Sequence, residues 1–337
     1  MRLPVQELFV ITVTITLCAV VSEGVYRLYK LTKYEAQKED FSNRKSSVLI
    51  KDGSCVGHTL RPNAERKNIV ANYEAPWSYK INSSGFRSPE LQQKTAPRVL
   101  ILGDSYTFGW AVNDEQTFPS QLQGLLQSRA EVINAGTPGY NTMHEYCFLK
   151  ENFSATNPDV VILAYVMNDA EPQNVIPSSP YMTFRFAKSW LWEDLKAFSN
   201  QVLHTTFHTN RYEYTSYAES FEEGNPKGRD SKSALRQIAK FCKEHNVIFK
   251  VFILPDFTHS FAAYPWHDIH AKVQDWAAEF EIETVDLLPE FLGKDSKQFS
   301  VAGDGHPNAT AHKIIAHRIA KALNDITGID THEISRL

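Results

Sequence analysis

The amino-acid sequence predicts an α/β fold with a central parallel five-stranded sheet covered by helices on both faces. Two patterns predict it. Runs rich in valine and isoleucine recur at 99–103, 131–134, 160–166, 247–254 and 283–286, and amphipathic stretches at 119–127, 142–153, 231–245 and 267–280 fall between them. Strands that alternate with helices read as parallel strands joined by crossovers. A last helix is expected to begin at Asn308, whose side chain can cap the amides of Ala309 to Ala311, and to run to about Asn324. The composition, 42% hydrophobic and 22% charged, is that of a globular chain with a sizeable core.

Ahead of the sheet, every residue from Leu8 to Val21 is apolar or threonine. That is the length of a signal-peptide core, and extending it to a bilayer span means crossing Glu7 and Glu23. Residues 1–30 are therefore expected to be a signal anchor or a signal peptide, with a buried amino-terminal helix as the ordinary structural alternative. Arg2 on one side and Arg27, Lys30 and Lys33 on the other leave orientation open. Residues 31–97 read as a charged linker followed by an irregular lead-in containing Pro62, Pro76 and Pro89. Residues 98–326 hold the main domain and 327–337 a tail. Within the domain, 170–230 breaks the alternation and is rich in aromatic residues, which suits a lid, a substrate wall or a helical excursion with its own core.

Charge and cysteine usage remove some classes of function. A net charge of -4 and a pI near 6.3 give no basic face for a nucleic acid. Cys18, Cys55, Cys147 and Cys242 lack metal-ligand spacing, so no metal is expected. Unpaired thiols are the expectation, with one disulfide as the alternative if the body lies outside the cytoplasm. His58, His259, His267 and His270 are scattered without ligand spacing, and His312 reads as a packing or helix-surface histidine.

The chemistry is concentrated after the strands. The run Val99 to Leu102 stops at Gly103 and then presents Asp104-Ser105. A hydroxyl at the carboxyl end of a buried strand lies in the crevice where open α/β sheets bind ligands. Acyl transfer through serine also needs a base, an acid that orients it, and donors for the oxyanion. The segments Asn134-Ala135-Gly136-Thr137-Pro138-Gly139, Asn168-Asp169 and Asp304-Gly305-His306-Pro307-Asn308 contain residues of each kind.

In this order the four segments resemble the SGNH (GDSL-like) hydrolase superfamily, including its membrane-anchored bacterial members, and the resemblance covers about Arg98 to Asn324. It implies a flavodoxin-like three-layer α/β/α sandwich, Ser105 as nucleophile and His306 as base. It further implies an oxyanion hole of the Ser105 amide, the Gly139 amide and the Asn168 side chain. Gly139 aligns better than Gly136. Two positions depart from the family pattern: Val166 stands where a glycine usually precedes Asn168, and Gly303 stands where the acid is usual. Asp304 is taken as the acid, since side chains two apart in an extended segment share a face. Asp104 is expected to brace the nucleophile turn, and Tyr106 and Trp110 to line the pocket.

The function implied is a serine esterase acting on acyl esters, O-acetyl esters of carbohydrate in first instance, without a cofactor. The catalytic body would lie outside the cytoplasm, in the periplasm or extracellular space. The motifs do not separate hydrolysis from O-acyl transfer to envelope polysaccharide, nor an acetylesterase from a lipase or thioesterase. A non-catalytic ligand-binding module is disfavoured by the intact Ser105, Asn168 and His306.

Overall fold

The computed structural model describes residues 7, 11, 13–29, 48–51, 54–69, 76–171, 217–302 and 304–323. The chain divides into two compact units, 1–46 with 176–215 and 47–175 with 216–337. In the first, residues 13–29 are helical. Ile15, Leu17, Val20 and Val21 are exposed on this helix, and Glu23 pairs with Arg27 one turn on at 2.7 Å. No helix among the described residues is long and apolar enough to cross a membrane.

The second unit opens with two antiparallel pairs, β1 (Leu49–Lys51) with β2 (His58–Leu60) and β3 (Glu65–Ile69) with β4 (Trp77–Lys80). The expected irregular lead-in is thus partly regular structure. The strands escaped detection because they are short, and because β3 reads Glu-Arg-Lys-Asn-Ile with almost every residue exposed. Strands without an apolar face carry no period-two signal.

The main sheet follows with β5 (Arg98–Leu102), β6 (Glu131–Asn134), β7 (Val160–Tyr165), β8 (Ile248–Ile253) and β9 (Glu283–Asp286), all parallel. Their spatial order is β6-β5-β7-β8-β9. The chain leaves β5 for β6 on one side and returns to β7 on the other, so the strand order reverses beside β5 and opens a crevice at the carboxyl ends of β5 and β7. Every residue of β5 and β7 is buried, as strands covered on both faces must be.

After β5 the chain makes the single turn α1 (Ser105–Phe108), followed by α2 (Phe118–Leu126), α3 (Thr142–Thr156), α4 (Pro226–Glu244), α5 (His267–Glu279) and α6 (Ala309–Ala322). Helix α2 packs on α6, α3 on α4, and α4 on α5. The expected boundaries hold to within a few residues except at α4, which starts at Pro226. Asn225 caps that end by accepting from Lys227 N, and proline at the first helical position replaces an amide that would lack a partner. Asn308 caps α6 by accepting from Thr310 N and Ala311 N. Of the aromatic-rich stretch 170–230, residues 172–216 lie outside the described residues. Phe221 belongs to the core and stacks on Trp276, and the partly buried Tyr217 packs against the core on Trp266.

The outer edge of β6 is closed by side chains. Gln123 of α2 accepts from Val132 N at 2.7 Å and donates to Ala130 O at 3.0 Å, and Ser88 Oγ accepts from Asn134 N at 2.8 Å. These contacts satisfy backbone groups that an edge strand otherwise offers to a second chain.

The expectation of unpaired thiols fails at Cys55 and Cys147, which form a disulfide with Cα atoms 5.7 Å apart. Their separation of 92 residues left no spacing signal. The bond ties the β1/β2 pair to α3, and closing so long a loop removes much freedom from the unfolded chain. Replacing both residues by serine is expected to lower unfolding stability by about 2–4 kcal/mol, read from urea melts of the oxidised protein and the variant; coincident melts would refute this.

Candidate active site

Ser105 directly follows β5 at the point where the strand order reverses. Gly103 permits the approach, because a β-carbon there would overlap Thr107, and one at Gly136 would overlap the Phe108 backbone. Asp104 caps α1, its Oδ1 accepting from Tyr106 N at 2.8 Å, while Oδ2 accepts from Asn168 Nδ2 at 2.9 Å. Asn168 lies in the 3-10 turn Met167–Ala170 after β7, and Asp169 closes that turn by accepting from Val166 N at 3.0 Å. The carboxylate of Asp104 therefore fastens the end of β7 to α1.

His306 reaches the same crevice from the segment before α6. Its Nε2 accepts from Ser105 Oγ at 2.8 Å, and its Nδ1 pairs with Asp304 Oδ1. Because the carboxylate only accepts, the network assigns the ring proton to Nδ1 and leaves Nε2 as acceptor. The Ser105 hydroxyl has one proton and a second acceptor, Asp104 Oδ2, at 3.4 Å. The shorter contact to His306 directs it.

The expected extended segment from Asp304 to His306 is instead a turn. Gly305 has φ 84°, and the amides of Asp304 and Gly305 both donate to Val301 O. The positive φ folds Asp304 back beneath the imidazole, where Oδ1 also accepts from His306 N at 3.3 Å. A β-carbon at residue 305 would collide with Thr258. This geometry explains how an acid two residues from the histidine reaches Nδ1.

Gly139 has φ 79°, in the left-handed region. Among the described residues, no acceptor takes the amide hydrogen of Ser105 or of Gly139. The rings of Tyr106 and Trp110 stand 5.4 and 6.3 Å from that of His306. Tyr106 OH also donates to Gly305 O at 3.4 Å.

Arg87, in the lead-in before β5, is a buried anchor for this end of the sheet. Its side chain is 1% exposed, and all five guanidinium hydrogens are used. They go to Asp114 Oδ1 and to the carbonyls of Ser78, Phe108, Gly109 and Val112. Its partners at 108 and 109 terminate α1, so the lead-in grips that turn.

Behind Asn168 lie further buried carboxyls. Burial lifts Asp104 above the usual carboxylate range, opposed by the bonds from Asn168 and Tyr106 N. Burial lifts Asp169 and Glu145 well above it, and for Glu145 the charges of Asp169 and Asp104 add to the effect. Neither Glu145 oxygen has a hydrogen-bond partner among the described residues. His312 is fully buried, stacks on Phe118 and accepts from Phe118 N at 3.1 Å; burial pushes it down to about 3, which makes it a packing residue.

The crevice at the β5/β7 switch point thus holds a serine, a histidine and two carboxylates, groups of the kind an α/β ester hydrolase uses. The profile of the GDSL-like lipase/acylhydrolase family matches residues 101–314, and the chain belongs to that family. No curated protein matches it. Among solved structures it is similar to a putative lipolytic protein of the G-D-S-L family from Desulfitobacterium hafniense, with 15% identity and a TM-score of 0.43, covering 67% of this chain and 99% of that one. It is also similar to a psychrotrophic esterase from Pseudoalteromonas sp., with 15% identity and a TM-score of 0.44, covering 69% and 99%. A carbohydrate acetylesterase family member from Sinorhizobium meliloti is similar at 13% identity and a TM-score of 0.40, covering 69% and 100%.

The raised Glu145 carboxyl sets a pH dependence. The folded state holds its proton above the pH at which the unfolded chain releases it, so the folded state binds more protons and stability falls as pH rises beyond the unfolded value near 4.5. Glu145→Gln removes this titration. Its melting temperature minus that of the wild type is expected to grow steadily from pH 5 to pH 8, and a pH-independent difference would show that Glu145 ionises normally.

Proposed function

We propose that this acyl ester hydrolase works through an acyl-serine, with Ser105 as nucleophile, His306 as general base and Asp304 as the acid that orients it. The observation that carries the proposal is the continuous chain from Ser105 Oγ through His306 to Asp304, at the switch-point crevice. Oγ forms a bond to the carbonyl carbon while its proton passes to His306 Nε2. The negative charge that develops on the carbonyl oxygen is met by the Ser105 and Gly139 amides and the Asn168 side chain. Collapse breaks the bond to the alcohol, which leaves with the proton from His306. Water then adds with His306 again as base, releasing the carboxylic acid and restoring the hydroxyl. Asp304 holds Nδ1–H throughout and stabilises the imidazolium.

The acyl group is proposed to be short, acetyl in first instance, because two aromatic rings crowd the base beside the hydroxyl. The partly exposed Trp110 offers a flat face against which a sugar ring can lie. The test is hydrolysis of a graded series of nitrophenyl esters by the full chain. Ser105→Ala is expected to lower kcat by about 10⁴-fold or more, and Asp304→Asn by about 10²- to 10⁴-fold with an intact fold. Undiminished turnover in Ser105→Ala refutes the mechanism, and a preference for long acyl chains refutes the acetyl assignment. Transfer to an added glycan hydroxyl in place of water would identify an acyltransferase.

The catalytic body is further proposed to lie outside the cytoplasm. The Cys55–Cys147 bond persists in an oxidising compartment, and the exposed apolar helix at 13–29 suits attachment at a membrane surface. Alkylation of thiols in intact cells before lysis is expected to leave both cysteines unmodified. Labelled cysteines would overturn the assignment.

A further inference from the structure

The β1/β2 pair contributes nothing to the chain of proton transfer, yet it touches the loop that carries Gly139. His58 in β2 is buried, and its Nε2 bonds to Pro138 O at 3.0 Å. A carbonyl only accepts, so this nitrogen carries the proton. Tyr140 OH donates in return to His58 O at 2.7 Å. One residue of the hairpin thus holds the loop on both sides of Gly139.

The carbonyl of Pro138 and the amide N–H of Gly139 belong to the same peptide plane, and in a trans peptide they point in opposite directions. A donor fixed on the carbonyl therefore fixes where the N–H points. It also polarises the amide, so the N–H becomes a stronger donor. The hairpin is itself anchored, because Cys55, three residues before His58, is bonded to Cys147 of α3, the helix that begins directly after the loop. The ring of His144 in the first turn of α3 stacks on Tyr140, with centroids 5.5 Å apart, and closes the far side.

We propose that His58 is a positioning residue for the oxyanion hole, orienting and polarising the 138–139 peptide, and that the disulfide-tethered hairpin exists to hold it there. The proposal rests on the assignment of Gly139 as an oxyanion donor. It predicts a loss in transition-state stabilisation without a loss in substrate binding. His58→Phe is expected to lower kcat for nitrophenyl acetate by about 10- to 100-fold, with KM changed less than about threefold. His58→Gln, which restores an N–H donor, is expected to recover most of the loss. Affinity for a boronic acid, whose tetrahedral adduct with serine places an oxygen in the hole, should fall in parallel with kcat across the variants.

Wild-type kcat and boronate affinity in a folded His58→Phe, or no recovery in His58→Gln, overturns the proposal. Should His58→Phe fail to fold, Tyr140→Phe keeps the ring and removes the return bond to His58 O. It is expected to lower kcat and boronate affinity together by about 3- to 10-fold, and unchanged values again overturn the proposal. Ser105→Ala run alongside separates the two levels. An active Ser105→Ala refutes the underlying mechanism, whereas an inactive Ser105→Ala beside an unimpaired His58→Phe refutes only the role of His58.

Discussion

The active crevice depends on the carboxylate of Asp104. It is 1% exposed, it caps α1 through Tyr106 N, and it holds the Asn168 amide across the gap between β5 and β7. Burying a carboxylate costs several kcal/mol unless hydrogen bonds replace its water. Here the replacing donors come from two different strand ends. The requirement that this carboxylate be satisfied is thus also the requirement that the two strand ends be in register. A sheet of this order opens a crevice wherever its sense reverses, and Asp104 turns that crevice into a fixed arrangement of groups.

Around that point the chain braces the site from three directions. Arg87 commits its whole guanidinium to backbone carbonyls and Asp114, and two of those carbonyls end α1. The β1/β2 pair holds the 137–140 loop through His58 and Tyr140. On the base side, Asp286 accepts from His270 Nδ1, His270 Nε2 accepts from Tyr264 OH, and Tyr264 oxygen accepts from Asp256 N, a directed chain that ends in the loop whose Thr258 abuts Gly305. Each brace uses side chains locked by burial, which is how a catalytic geometry is held to fractions of an ångström. Residues 76–97, which precede the sheet in sequence, are in this sense part of the scaffold of the site.

The parallel sheet was legible because buried strands write continuous apolar runs and the crossover helices write amphipathic ones. Ser105 and Asn168 were legible because they directly follow such runs, and His306 because it directly precedes a capped helix. Asp304 was legible as a residue but its geometry was not, since it depends on the positive φ of Gly305, a choice that glycine permits without dictating. Arg87 was opaque for a different reason. Four of its five partners are backbone carbonyls, which carry no residue identity. His58 is hidden in the same way, and the Cys55–Cys147 pairing is set by the docking of a hairpin whose strands are too short to show a pattern.

Two carboxylates lie close to Ser105 and His306, and the proposed mechanism gives them different work. Asp104 lies nearer in sequence, but its Oδ2 is 3.4 Å from the hydroxyl and also accepts from Asn168, whereas His306 Nε2 accepts from the hydroxyl at 2.8 Å. Asp304 does not touch the hydroxyl; it is partly exposed and meets the imidazole at Nδ1. An imidazole has two nitrogens, and only the one not engaged by a carboxylate can receive a proton. In the proposed mechanism Asp304 holds Nδ1–H and so aims basicity at Nε2, 2.8 Å from Ser105 Oγ. Exchanging these environments would leave both acids in the crevice and lose the division of roles: a free carboxylate beside the hydroxyl is a weak base, and an imidazole without a partner is free to turn away. What the fold supplies is the full burial of one carboxylate and the partial burial of the other.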